Sequence, residues 1–267
     1  MNVGIVGCGK MGTALIQGAI QSGVINASNL IGIDPYPPAC EQFATATGGQ
    51  TTEDISALVE SDLVLLCTKP QQITATLSAL AEVAPEQPML IISVAAGISV
   101  AALESVAGPE MRVIRCMPNT PALVGKGAAA YCMGSKATAN DAEFAQSLLG
   151  SVGVALKVDE NLMDVVTGLS GSGPAYVYLM IEALVDSAES QGLSREHALR
   201  LAAQTVYGAA SMVIETGREP SDLREMVTSP NGTTFAGLNA LRDLDFQMVV
   251  GAAVAAATAR SVELGQS

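Results

Sequence analysis

Apolar residues in the first part of the chain form short continuous runs, each followed by a segment with helical spacing. The runs lie at 2–6, 29–33, 62–67, 89–94 and 112–117. Helical spacing fills the intervals at 13–21, 38–46, 71–83 and 99–106. Continuous apolar strands that alternate with helices are typical of a parallel sheet covered on both faces. Two further strands are predicted at 127–133 and 153–158, around a helix near 140–150 with Asn140 as N-cap and Glu143 in a capping box.

Beyond residue 160 the strand pattern stops and helical spacing continues to the end. The predicted helices lie at 161–169, 174–191, 194–216, 220–227, 233–244 and 246–264. We therefore predict an α/β domain over 1–160 and an all-helical domain over 161–267. The last helix is almost entirely Ala and Val over Val249–Ala257. A helix that is apolar nearly all round has to be buried, which predicts an obligate homodimer built on these helices.

Composition narrows the classes of protein that fit this plan. The chain of 267 residues has 49% hydrophobic and 15% charged residues and a net charge of −13, so it lacks the basic patches that nucleic-acid binding requires. No apolar run reaches about 18 residues without a break, and no basic segment precedes an apolar one, so neither a membrane span nor a signal peptide is expected. None of the five cysteines forms a C-x-x-C pair, which favours a reduced, cytoplasmic setting without a metal site.

A glycine pattern follows the first predicted strand directly. Gly7, Gly9 and Gly12 form G-x-G-x-x-G around Cys8, Lys10 and Met11, and a helix begins at once. The first glycine permits a tight turn, the second lets the backbone approach a pyrophosphate, and the third allows close packing of helix on strand. In this strand-to-helix context the pattern predicts a Rossmann-like, doubly wound sheet that binds a dinucleotide.

An aspartate ends the second predicted strand, where the ribose of a bound dinucleotide lies. Asp34 follows Gly12 by 22 residues, and its carboxylate is placed to accept hydrogen bonds from ribose hydroxyls and to repel a 2′-phosphate. No Lys or Arg occurs within 35–42 to offset that repulsion. The alternative is an aspartate that only starts a turn before Pro35.

Later strand ends supply further candidates, because ligands bind at the carboxyl edge of such sheets. Small residues at the end of the strand at 89–94 would let a flat nicotinamide ring lie close, and Asn119 with Thr120 would fix its amide. The candidate cofactor residues at these ends are Thr68, Lys69, Pro70, Ala95, Ala96, Gly97 and Asn119. Each tract is also compatible with a plain strand-to-loop turn.

Two other features are ambiguous. The tract Ser170–Ala175 is rich in Gly and Ser and suits a phosphate cradle or a hinge. His197 is the single histidine and falls on a predicted helix. A lone helical histidine is usually structural or exposed, and no carboxylate pair accompanies it, so Ser-His-Asp hydrolysis finds no support.

Residues 228–234, Thr-Ser-Pro-Asn-Gly-Thr-Thr, interrupt the helical region before helical spacing resumes. A turn that opens into a helix presents unpaired backbone N–H groups, and the helix dipole favours an anion there. This predicts a carboxylate pocket lined by hydroxyl groups, formed by Ser229, Asn231, Gly232, Thr233 and Thr234. The alternative is an ordinary helix–turn–helix with a threonine as N-cap.

Together these tracts resemble the Δ1-pyrroline-5-carboxylate reductase family over nearly the whole chain. The stretches that carry the resemblance are the glycine loop, 68–70, 94–97, 113–121, 167–175 and 223–234. Two departures stand out, because the family tract usually reads Ser-Pro-Gly-Gly where Asn231 stands here, and the family generally prefers NADPH, whereas Asp34 favours NADH. Asn is the non-glycine residue best suited to a positive φ angle, so the turn is expected to survive.

The resemblance implies reduction of a cyclic imino acid to proline with NADPH or NADH, by homodimers that often assemble into decamers. Thr234 would hydrogen-bond the ring nitrogen or relay a proton to it, and positioning would supply most of the rate. Two alternatives remain open at this stage. A β-hydroxyacid-type dehydrogenase would need a Lys on a helix of the second domain, and 161–267 contain none. A non-catalytic protein that senses a dinucleotide or binds pyridoxal phosphate would bind its cofactor without turnover.

Overall fold

The computed structural model describes residues 1–265, which form two compact units. The first comprises Met1–Ser172 together with the residues from Ala255 onward, and the second comprises Gly173–Val254. The first unit is built on an eight-stranded sheet, whose strands are β1 (Val3–Val6), β2 (Leu30–Ile33), β3 (Gln50–Thr52), β4 (Leu63–Leu66), β5 (Leu90–Ser93), β6 (Arg112–Met117), β7 (Gly127–Met133) and β8 (Gly153–Lys157).

The helices follow in chain order. They are α1 (Lys10–Gln21), α2 (Pro37–Thr47), α3 (Pro70–Val83), α4 (Val100–Val106), α5 (Ala139–Gly150), α6 (Met163–Val166), α7 (Gly173–Ser190), α8 (Arg195–Thr216), α9 (Pro220–Met226), α10 (Thr233–Asp243) and α11 (Phe246–Gly265). The predicted helices and strands are thus confirmed within one or two residues at most ends. The sequence pattern missed β3, whose residues Gln-Thr-Thr form no apolar run.

The strand order is β3-β2-β1-β4-β5-β6-β7-β8. The first six strands run parallel, as predicted, and the order reverses between β1 and β4. The last two strands run the other way, since β7 pairs antiparallel with β6 and β8 pairs parallel with β7. The link between β6 and β7 holds only a 3₁₀ turn at Thr120–Val124, and a connection of that length is too short for a parallel crossover.

Both faces of the sheet carry an apolar core, which explains why the strands read as continuous apolar runs. Leu65 and Ile92 belong to one cluster with α1 and α5 side chains, and their neighbours Leu66 and Ile91 belong to a second cluster with α3 side chains. All four are fully buried. Alternate residues of one strand therefore pack on opposite layers of helices.

One local prediction in this unit is wrong. The N-cap of α5 is Thr138, whose Oγ1 accepts from the N–H of Asp141, while the Asp141 carboxylate accepts from the N–H of Thr138. This capping box replaces the one predicted at Asn140 and Glu143. The tract Thr167–Gly171 forms a π-helical turn, Ser172 is a bend, and α7 begins at Gly173, where the second compact unit also begins. The interpretation of Ser170–Ala175 as a phosphate cradle or a hinge stays a prediction.

The second unit consists of α7–α10 and the first residues of α11. Its buried cluster is small and contains Val185, Ala198 and Ala202. Many large apolar side chains remain exposed in the isolated protomer, including Leu179, Ile214, Met248 and Val249. By length and composition alone α11 is apolar enough to cross a membrane, and 6% of its apolar stretch is buried in the protomer.

Candidate active site

The glycine loop after β1 has the geometry that each glycine was predicted to provide. Gly7 has φ +102°, and a Cβ there would lie 2.7 Å from the Cys67 backbone. A Cβ at Gly12 would lie 2.6 Å from both the Gly7 carbonyl oxygen and a methyl group of Ile5, so α1 packs directly on β1. A Cβ at Gly9 would meet nothing within 4 Å. The loop is therefore tightly packed on the protein side and open at Gly9.

The open side of the loop coincides with the start of α1. Gly9 is the N-cap, no side chain caps the helix, and no acidic residue lies in the first turn. The first N–H groups of α1 thus have no side-chain acceptor, and the helix dipole favours an anion beside them. Lys10 is exposed here, and Met11 packs against the core. These features fit the pyrophosphate of a dinucleotide.

Asp34 at the end of β2 faces this loop. Its Oδ2 accepts from the N–H of Cys8 at 2.9 Å, and its Oδ1 accepts from the N–H of Tyr36 at 2.9 Å. The carboxylate therefore stabilises the turn at Pro35, as the alternative interpretation predicted, and it also links β2 to the glycine loop. The bond to Cys8 joins positions 26 apart in sequence and had no signal in the sequence pattern.

The carboxyl end of β4 contributes an unpaired hydroxyl. Thr68 Oγ1 is buried and has no hydrogen-bond partner among residues 1–265. Lys69 is the exposed N-cap of α3, whose first residue is Pro70, and no side chain caps this helix either. A buried hydroxyl without a partner is uncommon in proteins, and a bound ligand that supplies the partner would satisfy it.

The loop after β5 and Asn119, two residues after the end of β6, differ in how far their polar groups are already bonded within the protein. Ala95 and Gly97 are buried, Ala96 is half-buried, and Gly97 has φ +78°. Both ends of the buried Asn119 side chain are engaged within the protein: Nδ2 donates to the Ser170 carbonyl at 2.9 Å, and Oδ1 accepts from the N–H of Ala128 at 2.9 Å. The second hydrogen on Asn119 Nδ2 is the one that could donate to a cofactor, so a cofactor contact by Asn119 stays a prediction.

The tract 228–234 lies between α9 and α10 and keeps the predicted turn. Asn231 has φ +59°, which is the positive value expected for it. The N-cap of α10 is Gly232, with no side-chain cap, so the alternative of a threonine N-cap is wrong. The hydroxyl groups of Ser229, Thr233 and Thr234 make no hydrogen bond to the described residues of the protomer, and Thr234 is half-buried.

The buried thiols of Cys8 and Cys67 are poor candidates for catalytic groups. Burial raises the pKa of Cys8 to about 12, with added repulsion from Cys40 and Asp34, and burial likewise raises the pKa of Cys67 to about 12. Such thiols stay protonated and are poor nucleophiles at neutral pH. His197 is exposed on α8. Residues 1–265 contain no group of three or more His, Cys, Asp or Glu side chains that could hold a metal.

A doubly wound sheet with a glycine loop open at its β1–α1 turn, in a chain that also has a helical unit, is typical of dinucleotide-dependent oxidoreductases. Residues 160–264 match the family model described as pyrroline-5-carboxylate reductase dimerisation, and 2–97 match one described as NADP oxidoreductase, coenzyme F420-dependent. The chain is 42% identical to a pyrroline-5-carboxylate reductase of Methanosarcina acetivorans over 99% of this chain and 98% of that one. The chain belongs to the pyrroline-5-carboxylate reductase family.

Solved structures agree with this assignment. A pyrroline-5-carboxylate reductase from Coxiella burnetii superposes with a TM-score of 0.93 at 33% identity and covers 100% of this chain and 99% of that one. The Plasmodium falciparum enzyme, solved with NADP bound, gives a TM-score of 0.86 at 31% identity over 99% and 98% of the two chains. The predicted family, fold class and oxidoreductase function are confirmed.

Proposed function

We propose that this chain reduces Δ1-pyrroline-5-carboxylate to L-proline with NADPH or NADH, the last step of proline biosynthesis. The observation that carries the proposal is the full-length similarity to pyrroline-5-carboxylate reductases. Two uncapped helix starts support it, at Gly9 and at Gly232, because one suits a pyrophosphate and the other a small carboxylate.

The cofactor is proposed to bind along the carboxyl edge of the sheet. The N–H groups that follow Gly9 hold the pyrophosphate, and Asp34 accepts from the adenosine ribose. The remaining proposed cofactor contacts are Gly7, Lys10, Met11, Gly12, Thr68, Lys69, Pro70, Ala95, Ala96, Gly97 and Asn119. The unpaired Thr68 Oγ1 supports this placement, since a ligand group there would satisfy it. When bound, NADPH or NADH supplies the hydride.

The substrate is proposed to bind at the start of α10. Its carboxylate accepts from the N–H groups around Asn231–Thr234, and the Ser229 hydroxyl lies in the same turn. Thr234 then hydrogen-bonds the ring nitrogen or relays a proton to it. The absence of side-chain caps on α10 supports this role, because the first-turn N–H groups are not used by Ser229, Thr233 or Thr234. A protonated imine is already electrophilic, so positioning supplies most of the rate.

A homodimer is proposed as the working unit, with decamers as the larger assembly by resemblance to the family. Exposed apolar side chains on the helices support the dimer, as does the match of 160–264 to a dimerisation model. The functional boundary is proposed at residue 160, just after β8 ends at Lys157. A reduced, cytoplasmic setting fits the five free thiols.

The direct test is reduction of pyrroline-5-carboxylate by the purified full chain with NADH and with NADPH. Tetrahydrofuran-2-carboxylate, a ring carboxylate without a reducible bond, should inhibit in competition with the imine. Tetrahydrofurfuryl alcohol keeps the ring but lacks the carboxylate, so it should inhibit far less. A chain that binds NADPH or NADH without turnover would refute the proposed reaction. Equal effects of the two ring compounds would refute the carboxylate pocket.

A further inference from the structure

The end of α11 is in direct backbone contact with the loop after β5. A Cβ at Gly265 would lie 2.6 Å from the Gly97 carbonyl oxygen, and a Cβ at Gly97 would lie 3.2 Å from the Leu264 Cβ. Gly97 also has φ +78°, a conformation that side chains rarely adopt. Two glycines nearly 170 positions apart therefore meet without intervening side chains, and a side chain at Gly265 would displace the loop or the helix end.

A polar cluster with two buried members, Ser261 and Arg115, contacts the same end of α11. Ser261, which is 3% exposed, donates through Oγ to Asp164 Oδ1 at 2.6 Å. Arg115 lies 3.6 Å from Asp164 Oδ1 through Nη2 and 3.3 Å from Glu160 Oε1 through Nη1. That Glu160 oxygen also accepts from the N–H of Val100 at 2.6 Å.

The cluster constrains the β5 loop from two directions. Val100 is the first residue of α4 and follows the loop directly, so Glu160 holds the far end of the loop in place. Ser261 holds α11 in the same network, one turn before Gly265. Arg115 is 6% exposed through its side chain, and a buried charge of this kind keeps its partners in a fixed geometry because losing one leaves the others unpaired.

We propose that Ser261 and Gly265, in the last turn of α11, position the loop Ala95–Gly97 and thereby the nicotinamide ring. The inference rests on the proposed function, which seats that ring against this loop. Ser261 and Gly265 act through the loop. Their effect is confined to the ring end of the cofactor, since the adenosine end binds at the glycine loop and Asp34.

The test compares Gly265→Ala and Ser261→Ala with the control Glu263→Gln. Glu263 lies in the same helical turn, but it is 62% exposed and pairs with Arg260 at the surface. Binding of NADH is followed by its fluorescence, and binding of ADP-ribose, which lacks the nicotinamide, by calorimetry. We expect both test variants to bind NADH more weakly while ADP-ribose binding and the oligomeric state by sedimentation stay as in the wild type.

Turnover provides a second readout. Misplacing a reacting ring by about 1 Å costs up to about a hundredfold in rate, so kcat should fall about tenfold to a hundredfold in Gly265→Ala. The primary deuterium isotope effect on kcat should rise, because hydride transfer becomes the slow step. Ser261→Thr keeps the hydroxyl and should restore the kcat that Ser261→Ala loses, and Glu263→Gln should behave as the wild type.

Two results would overturn the inference. One is a parallel loss of NADH and ADP-ribose binding, which would mean general loosening of the domain. The other is unchanged NADH binding, kcat and isotope effect in Ser261→Ala. This result refutes the inference even if Gly265→Ala does not fold. The binding measurements need no substrate. A wild-type chain that does not turn over pyrroline-5-carboxylate would therefore refute the proposed reaction, but NADH and ADP-ribose binding could still be compared among the variants.

Discussion

The choice between NADH and NADPH should depend on the charge of Asp34. In the structure its carboxylate accepts from the N–H of Cys8 in the glycine loop, which places a negative charge beside the proposed cofactor site. The ribose hydroxyls of NADH can donate to this carboxylate, whereas a 2′-phosphate on the same ribose is repelled. We predict that the wild type uses NADH at least as well as NADPH, and that Asp34→Ser shifts the preference toward NADPH.

The magnitude follows from the repulsion between the carboxylate and the phosphate. Two unit charges about 4 Å apart repel by about 1 kcal/mol in bulk water and by about 4 kcal/mol near a protein surface. Asp34 is half-buried, so the value lies between these limits, and salt screens part of it. We therefore expect the ratio of kcat/KM for NADPH to that for NADH to rise about tenfold or more, which corresponds to roughly 1.4 kcal/mol.

A matched variant separates the charge from the hydrogen bonds. Serine is too short to reach both Cys8 and Tyr36, so Asp34→Ser also loosens the loop. Asp34→Asn removes the charge but keeps an oxygen that can accept one of these bonds. Loosening should weaken the binding of NADH and NADPH alike and therefore cancel in the ratio of kcat/KM. Both variants should therefore show the shift toward NADPH. Added salt should weaken the discrimination against NADPH in the wild type, because it screens the repulsion by Asp34. A wild type that strongly favours NADPH, with an unaltered ratio in both variants, would refute the reasoning.

The remaining predictions concern chemistry, assembly and acid stability. Thr234→Ala should lower kcat about a hundredfold with little change in NADPH binding, and a near-normal kcat would assign the proton to water or to the substrate. Ala255 is exposed in the protomer, so Ala255→Glu should leave the protomer fold intact. The variant should not form the dimer, because dimerisation would bury an unpaired charge. A folded wild-type monomer in sedimentation at low concentration would contradict an obligate dimer. Burial raises the pKa of Asp141, but hydrogen bonds from Arg112 and Thr138 outweigh it, and the pKa lies below its usual 3.8. The contribution of Asp141 to the free energy of unfolding should therefore be present above pH 3.8 and be lost as the pH falls through its lowered folded-state pKa. Arg112→Met should flatten this pH dependence in acid titrations followed by circular dichroism.

The periodicity of the sequence was sufficient to predict the main elements of the fold. Strands buried on both faces require unbroken apolar runs, such as 62–67, and surface helices require apolar residues at helical spacing, so both leave a local signal. The glycine loop could also be predicted, because the tight turn at Gly7 and the close helix–strand packing at Gly12 require glycine at a fixed local spacing. Asn231 kept its positive φ angle for the same kind of local reason.

Only the tertiary structure decided features that depend on distant partners. Asp141, which closes the capping box of α5, also pairs with Arg112 of β6, 29 positions away. Asp34 binds the N–H of Cys8, and Gly97 meets Gly265, across stretches of chain that share no repeating pattern. Local spacing records which face of an element is buried, but it carries no information about which other element covers that face. Only the folded structure therefore showed the direction of β7, the hydrogen bonds of Asn119 and the contact between the last turn of α11 and the loop after β5.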